Sequence, residues 1–304
     1  MGEVKVFVLY HKLMPVFRSE VFEPLQTGCA DNGGLDGFLH DNTGENISGK
    51  NRCYAELTGN YWVWKNYLPA HPELEYVGFC HYRRNWDLRK NGSVQDAVFF
   101  RRQSYSRFLK YFGKHSSLPY VLKKLNGCDI LLPGKLSFAP YGLSNLENYR
   151  SAGHPDEALS AVRAAIEKVH PESIGDFDGF FAENSGYFCL NYIMRRELFA
   201  DFMTWLFSIL DEVENARGWD YGDSYERSKM PAYMAERLLN VWLKGRIRER
   251  SLRIAEKAMV VLVEPDKGFR RQCIVNALFN FYHVLKFHRA ADFFGKWFRR
   301  EVKP

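Results

Sequence analysis

The chain has 304 residues, of which 46% are hydrophobic and 26% are charged. This composition excludes a disordered or fibrous protein, and the length allows one large domain or two small ones with a substantial core. The net charge of +6 is compatible with an anionic partner or with ordinary solubility. No apolar run approaches the ~20 residues that cross a bilayer, and the first ten residues lack the basic start of a signal peptide. We therefore expect a cytoplasmic protein.

Apolar runs alternate with helical patterns along the chain. The predicted strands are residues 4–10, 76–80, 129–132, 186–194 and 258–263. The predicted helices are residues 54–66, 155–169, 197–213 and 231–244, with a basic helical region at 99–112. This alternation indicates an α/β fold with a mostly parallel sheet. In such sheets the ligand binds at the carboxyl ends of the strands, which directs attention to residues 10–12 and 81–84.

Two segments contain most of the polar residues that could bind a ligand, residues 41–66 and 76–86. The first places amide, hydroxyl and carboxyl groups around a predicted helix start, where backbone amides favour anions. These residues are Asn46, Ser48, Asn51 and Glu56. The second is an apolar strand that ends with His81, Arg83 and Arg84. Guanidinium groups make bidentate bonds to phosphate, although ordinary surface arginines and a structural histidine would give the same pattern.

The first strand ends in a similar way, with Tyr10, His11 and Lys12. A nucleoside base could stack on or hydrogen-bond to the first two side chains, and a lysine could contact phosphate. His11 could equally be structural. Six cysteines without a CxxC pair indicate free thiols in a reducing compartment, and Cys80, Cys128 and Cys189 lie in apolar segments where burial is expected.

These segments resemble a bacterial family of capsule and O-antigen glycosyltransferases that is catalogued as a domain of unknown function. The matching segments are residues 10–12 (YHK), 41–48 (DNTGENIS), 56–66 (ELTGNYWVWKN), 78–84 (GFCHYRR), 205–210 and 233–243, with a looser match at 187–194. The resemblance implies a GT-A-like fold with a Rossmann-type nucleotide-binding core. It also implies transfer of a sugar from a UDP-sugar donor to a surface polysaccharide, with galactofuranose or galactose as the sugar in some relatives.

The chain departs from that family of folds at one point. Most GT-A enzymes end a central strand in Asp-x-Asp, which binds a divalent metal on the donor diphosphate, whereas here the strand ends at residues 81–84. We expect Arg83 and Arg84, with Lys12 or Lys65, to stabilise the leaving diphosphate without a metal or other cofactor. An Asp-x-Asp does occur at residues 176–178 but follows no apolar strand, so it is either a metal site or a solvated turn.

An inverting transferase needs a carboxylate base that accepts the proton of the acceptor hydroxyl. Glu236 is one candidate, because it shares the more polar face of its predicted helix with Tyr233. It could instead be a surface or ion-paired residue. Asp156 is the other candidate, although acidic residues are common in a first helical turn. If the reaction retains configuration, neither need be a base. Asn191 and Tyr233 are candidates for acceptor binding, and Asn191 could equally be a satisfied buried amide.

We divide the chain into a GT-A-like domain at residues 1–270 and a basic, aromatic helical tail at 271–304. The tail could lie on an anionic membrane or pack on the domain. The basic residues of its last part are Lys286, Arg289, Lys296, Arg299, Arg300 and Lys303.

The expected partners are a UDP-sugar, a glycan or lipid-linked glycan, and the inner face of the cytoplasmic membrane. Nucleic acid is not expected, because basic residues before the tail are interspersed with acidic ones. The alternative function is a glycan-binding module without turnover.

Overall fold

The computed structural model describes residues 2–14, 16–89, 98–101, 105–249 and 251–263. The strands are β1 (Glu3–Tyr10), β2 (Phe22–Gln26), β3 (Leu39–His40), β4 (Leu74–His81), β5 (Arg84–Asp87), β6 (Val98–Arg101), β7 (Ile130–Pro133), β8 (Leu136–Ser137), β9 (Ser185–Gly186), β10 (Tyr192–Arg195) and β11 (Ile254–Val263). The helices are α1 (Cys29–Asn32), α2 (Asn51–Tyr54), α3 (Leu57–Trp62), α4 (Leu68–Ala70), α5 (Tyr105–Gly113), α6 (Leu118–Leu125), α7 (Asn145–Ser151), α8 (Asp156–Val169), α9 (Ile174–Ala182), α10 (Arg196–Ala216), α11 (Tyr225–Ser228) and α12 (Met230–Glu249). The predicted tail, 271–304, lies outside the described residues.

The main sheet has the strand order β10-β7-β11-β5-β4-β1-β2-β3, and β6 pairs with β11. β1 runs parallel to β2 and β4, whereas β5 and β10 run antiparallel to β4. The α/β class predicted from the sequence is therefore confirmed, but the described sheet is mixed, and a mostly parallel arrangement is not confirmed.

Hydrophobic cores lie on both faces of the sheet. Side chains of β1 alternate between them: Phe7 and Leu9 belong to one core, and Val6 and Val8 to the other. This alternation follows from the two-residue period of a strand, and it explains why β1 is continuously buried from Val6 to Tyr10. The first core also contains buried residues of α8, α10 and α12, and the second those of α5 and α6. Across the described ranges, no helix is long and apolar enough to cross a membrane.

The strand predicted at residues 186–194 is wrong in its middle. It is replaced by β9, β10 and an irregular connection that contains Cys189 (φ 78°) and Leu190 (φ 44°). Left-handed backbone cannot continue a β-ladder. The side chain of Asn240 on α12 makes hydrogen bonds to this connection in place of a neighbouring strand. Its Oδ1 accepts from Tyr187 N (2.7 Å), and its Nδ2 donates to Tyr187 O (2.8 Å).

The helix predicted at residues 54–66 is also interrupted. Ala55 has a φ of 46° and separates α2 from α3, and a π turn follows at Val63–Tyr67. The side chain of Asn51 stabilises the break, because Nδ2 donates to the Ala55 carbonyl (2.7 Å) and to Thr58 Oγ1 (3.0 Å). Glu56 therefore follows a sharp turn. The helix predicted at 99–112 begins too early, because β6 occupies its first residues.

Candidate active site

The central feature of the site is the end of β4 and its turn into β5. β1 and β4 are parallel neighbours, with Leu9 opposite His81, so their carboxyl ends lie at one edge of the sheet. His81 Nε2 lies 2.9 Å from the carbonyl of Cys189 and must donate, because a carbonyl only accepts. Burial, followed by the charge of Arg84, lowers the pKa of His81 to about 4. The imidazole is therefore neutral at physiological pH.

Arg84 contacts the same irregular connection. Its Nη1 donates to Cys189 Sγ at 3.2 Å, and its carbonyl accepts from Asn191 Nδ2 at 3.1 Å. Burial raises the pKa of the Cys189 thiol to about 11, so the thiol is neutral. Cys189, which the sequence predicted to be buried, is half-buried, whereas Cys80 and Cys128 are buried as predicted. The guanidinium of Arg84 thus has a neutral partner.

Further cations surround His11 at the end of β1. Burial lowers the pKa of His11, and the charges of Lys12, Lys229 and Arg83 lower it further. We call Lys12, Arg83, Arg84 and Lys229 the cationic rim. In the described part of the chain, none of the four forms a salt bridge. Lys65 is different: its Nζ lies 3.3 Å from Glu45 and 4.1 Å from the centre of the Trp64 ring.

Two carboxyl groups, which we call the carboxylate pair, lie next to the cationic rim. Glu56 follows the turn at Ala55, and Glu236 lies on α12; both are half-buried. Burial raises the pKa of both, and the Glu56 carboxylate raises that of Glu236 further. Arg84 has the opposite effect on each, which places it near both acids. Among the described residues, neither carboxylate accepts a hydrogen bond from another side chain.

The residues proposed for acceptor binding are also at this site. Asn191 is buried, and its Oδ1 has no hydrogen-bond partner among the residues that the structure describes. Tyr233 lies one helical turn before Glu236, and its ring packs on His154 with 4.4 Å between centroids. Arg237 is buried beside Glu236 and donates from Nη1 to the Tyr233 carbonyl (2.9 Å). These contacts fix Tyr233 on α12, one turn before Glu236.

Several other predicted binding residues have structural contacts. Tyr10 is buried, and its hydroxyl accepts from Phe17 N at 3.1 Å. Ser48 is buried and donates to the Asp41 carboxylate. Asn46 Oδ1 accepts from Ser48 N at 3.2 Å. Together with the Asn51 contacts described above, these bonds shape the loops next to the site.

The remaining acidic candidates are paired with arginines. Asp156 accepts from Arg150 Nε (2.9 Å) at the exposed start of α8. The Asp-x-Asp residues lie on α9 rather than in a turn; Asp176 pairs with Arg248, and Asp178 with Arg163. Within the described ranges, His, Cys, Asp and Glu side chains form no group of three or more that could hold a metal.

Sequence reasoning missed two residues of this site, Cys189 and Lys229. An irregular backbone brings Cys189 to the site, whereas the apolar residues around it predicted a regular strand. Lys229 has no motif of its own. It does lie four and seven residues before Tyr233 and Glu236, and this helical spacing could have placed it on the same face.

The cationic rim and the carboxylate pair determine what the site can do chemically. Guanidinium and ammonium groups at one edge of the sheet can bind an anionic group such as a diphosphate. A carboxylate with a raised pKa that accepts no side-chain hydrogen bond from the described residues can accept a proton. The site therefore combines groups suited to a charged leaving group with a group suited to deprotonating a nucleophile.

Comparisons with known proteins agree with the resemblance seen in the sequence motifs. Residues 5–247 match the model of the family described as a domain of unknown function (DUF4422). The structure is similar to the apo structure of the WbbM bifunctional glycosyltransferase, with a TM-score of 0.74 and 31% sequence identity over 86% of this chain. This chain spans 45% of that protein, which is less than half of its length. No curated protein matches.

Proposed function

The chain belongs to the DUF4422 family, and we propose that it is a glycosyltransferase that moves a sugar from a nucleotide-sugar donor to a glycan acceptor. The observation that carries this proposal is the position of the cationic rim, which forms no salt bridge among the described residues, next to the carboxylate pair at the carboxyl edge of the sheet. The similarity to the WbbM bifunctional glycosyltransferase supports the same reaction class.

The cationic rim has the role of binding the donor diphosphate. As the bond between the sugar and the diphosphate breaks, negative charge grows on the leaving phosphate. Cations held next to the leaving phosphate stabilise that charge. Arg83 and Arg84 come from the β4–β5 turn, and Lys12 follows β1. Lys229 comes from a distant part of the chain and adds a fourth charge.

Glu236 is the proposed base. Its carboxylate accepts the proton of the acceptor hydroxyl while that oxygen bonds to the anomeric carbon and the nucleoside diphosphate departs, which inverts the configuration. We favour Glu236 over Asp156, because the Asp156 carboxylate is bound by Arg150 at the protein surface. Glu56 lies beside Glu236 and raises the pKa of Glu236, so we assign it a positioning role.

A GT-A-like fold implies a divalent metal on the donor diphosphate, and the residues at the end of β4 do not fit one. The positions after that strand carry guanidinium groups, which repel a metal cation where a metal-dependent enzyme would supply carboxylates. We therefore propose that the cationic rim supplies the charge stabilisation, and we derive no step through a metal.

The resemblance found in the sequence extends the proposal to a UDP-sugar donor, with galactose or galactofuranose as the sugar. It also extends it to a capsule or O-antigen polysaccharide acceptor, free or lipid-linked, used at the inner face of the cytoplasmic membrane. These assignments concern substrate identity, which can be tested separately from the reaction class.

The test is release of nucleotide from a panel of UDP-, GDP- and CMP-sugars, measured with and without a mixture of bacterial surface oligosaccharides. We expect release of UDP that increases when oligosaccharide is added. The Glu236→Gln variant, purified in the same way, excludes a contaminating enzyme as the source. Glycan binding without release of any nucleotide would instead favour the non-catalytic glycan-binding module.

A further inference from the structure

An exposed aromatic side chain lies next to Lys229 of the cationic rim. Tyr225 begins the short helix α11, whose start is capped by Ser224 accepting from Arg227 N at 3.3 Å. Tyr225 is 62% exposed, which is unusual for a large ring. The Lys229 ammonium lies 4.0 Å from its ring centre. Such a cation–π contact fixes the orientation of the ring and leaves the ring open to solvent elsewhere.

The position of Tyr225 relative to the carboxylate pair follows from α12. Lys229 precedes Tyr233 by one turn, with Tyr233 N donating to the Lys229 carbonyl at 3.1 Å, and Glu236 follows Tyr233 by three residues. Tyr233 and Glu236 therefore share one face of α12, and Lys229 lies directly before the first turn of that helix. Because Tyr225 packs against Lys229, its ring lies at the end of this face.

Electrostatic coupling supports the same placement. Burial raises the pKa of Tyr233 to about 12, and the Tyr225 hydroxyl and Glu236 contribute to the shift. The pKa of Arg84 is raised first by Cys189, then by Glu236 and Glu56, and also by Tyr225. Tyr225 thus lies close to Arg84 as well as to Tyr233.

We propose that Tyr225 forms, with Tyr233, the subsite for the acceptor sugar, whose less polar C–H face packs on the exposed ring of Tyr225. This inference rests on the proposed function, because it takes Glu236 as the base. A hydroxyl that transfers its proton to Glu236 must lie within hydrogen-bond distance of that carboxylate. The acceptor therefore lies along the α12 face, whereas the nucleotide lies over the ends of β1 and β4.

Steady-state kinetics of the full chain test this assignment. Tyr225→Ala should raise the KM for the acceptor about tenfold, the equivalent of about 1.4 kcal/mol, and change the KM for the donor less, because the charge of Lys229 remains. Tyr225→Phe keeps the ring and should behave like the wild type. Ile247→Ala is the control, since Ile247 is an exposed apolar residue (52%) near the end of α12. A rise in the donor KM with an unchanged acceptor KM would overturn the proposal and make Tyr225 a nucleobase platform.

A binding experiment separates this proposal from the proposed function. The full chain is labelled with fluorotyrosine, the Tyr225 signal is assigned with Tyr225→Phe, and fluorine NMR follows it during titration with methyl β-galactopyranoside, methyl galactofuranoside or UDP. We expect a shift with a galactoside both in the absence of UDP and at saturating UDP. A shift with UDP alone, or with no compound, overturns the subsite. A shift with a galactoside in a protein that turns over no nucleotide-sugar retains the subsite and removes the transferase.

Discussion

Nη1 of Arg84 donates to the sulfur of Cys189 at 3.2 Å, so a neutral thiol holds the guanidinium in place without neutralising its charge. Cys189 and Leu190 adopt left-handed backbone to make this contact. Such conformations cost about 1–3 kcal/mol each and persist where the surroundings impose them, often at functional sites. Here Asn240 fixes the connection through its two bonds to Tyr187.

The first prediction concerns Arg84. Arg84→Ala should weaken UDP binding at least ~30-fold, because loss of a charged hydrogen-bond donor costs about 2 kcal/mol or more. Isothermal titration calorimetry measures the dissociation constant. Arg163→Ala is the matched control, since Arg163 is paired with Asp178 at an exposed position, and it should bind UDP like the wild type. Equal affinity for UDP in the two variants would show that Arg84 does not bind the donor.

The second prediction separates the two candidate bases. Glu236→Gln should reduce kcat at least ~100-fold, the usual contribution of general-base catalysis, while UDP affinity stays unchanged. Asp156→Asn should keep near wild-type activity, because its carboxylate is bound to Arg150. The measurement is initial rates at saturating donor. Loss of activity in Asp156→Asn alone would show that the wrong carboxylate was chosen.

The third prediction concerns the pH dependence of the reaction. A base must be deprotonated, so kcat/KM should fall as the pH drops through the pKa of Glu236. Burial and then the charge of Glu56 raise this pKa. Glu56→Gln should therefore move the acidic limb of the profile to lower pH, whereas Glu197→Gln, at an exposed position of α10, should leave it in place. An unchanged limb in Glu56→Gln would mean that the two carboxylates are not coupled.

The fourth prediction concerns stability. A carboxyl group whose pKa is raised by folding destabilises the folded state once the pH rises above its unfolded value. Glu236→Gln should therefore raise Tm above neutral pH, by about 2 °C for each ~1 kcal/mol gained, and the gain should shrink as the pH falls towards the unfolded pKa. Calorimetry across pH measures it. A lower Tm at alkaline pH would show that the Glu236 carboxylate has a stabilising partner.

Part of this site could be predicted from the sequence, because its signal is local. The apolar residues of β4 followed by His81 and two arginines identify a buried strand with cations at its end, and the structure places them there. The helical spacing of Glu236 and Tyr233 likewise predicts that both lie on the more polar face of α12. These inferences need only the periodicity of one element.

The rest depends on contacts between distant parts of the chain. The antiparallel direction of β5 and β10 could not be predicted, because the connections that set it have no hydrophobic periodicity. Cys189 reaches His81 and Arg84 only because its connection leaves the β conformation, and Asn240 stabilises that departure from a different helix. Lys229 joins Lys12 and Arg83 from a position more than 140 residues away. Neither hydrophobic pattern nor propensity encodes such pairings.

The most direct test of the central claim, that fixed cations replace a metal at the donor diphosphate, is calorimetric titration of UDP in the presence of EDTA. The wild-type chain should bind UDP in EDTA as tightly as with manganese, and a variant carrying both Arg83→Ala and Arg84→Ala should lose most of that affinity. Binding that disappears in EDTA and returns with manganese, or that survives in the double variant, would contradict the account.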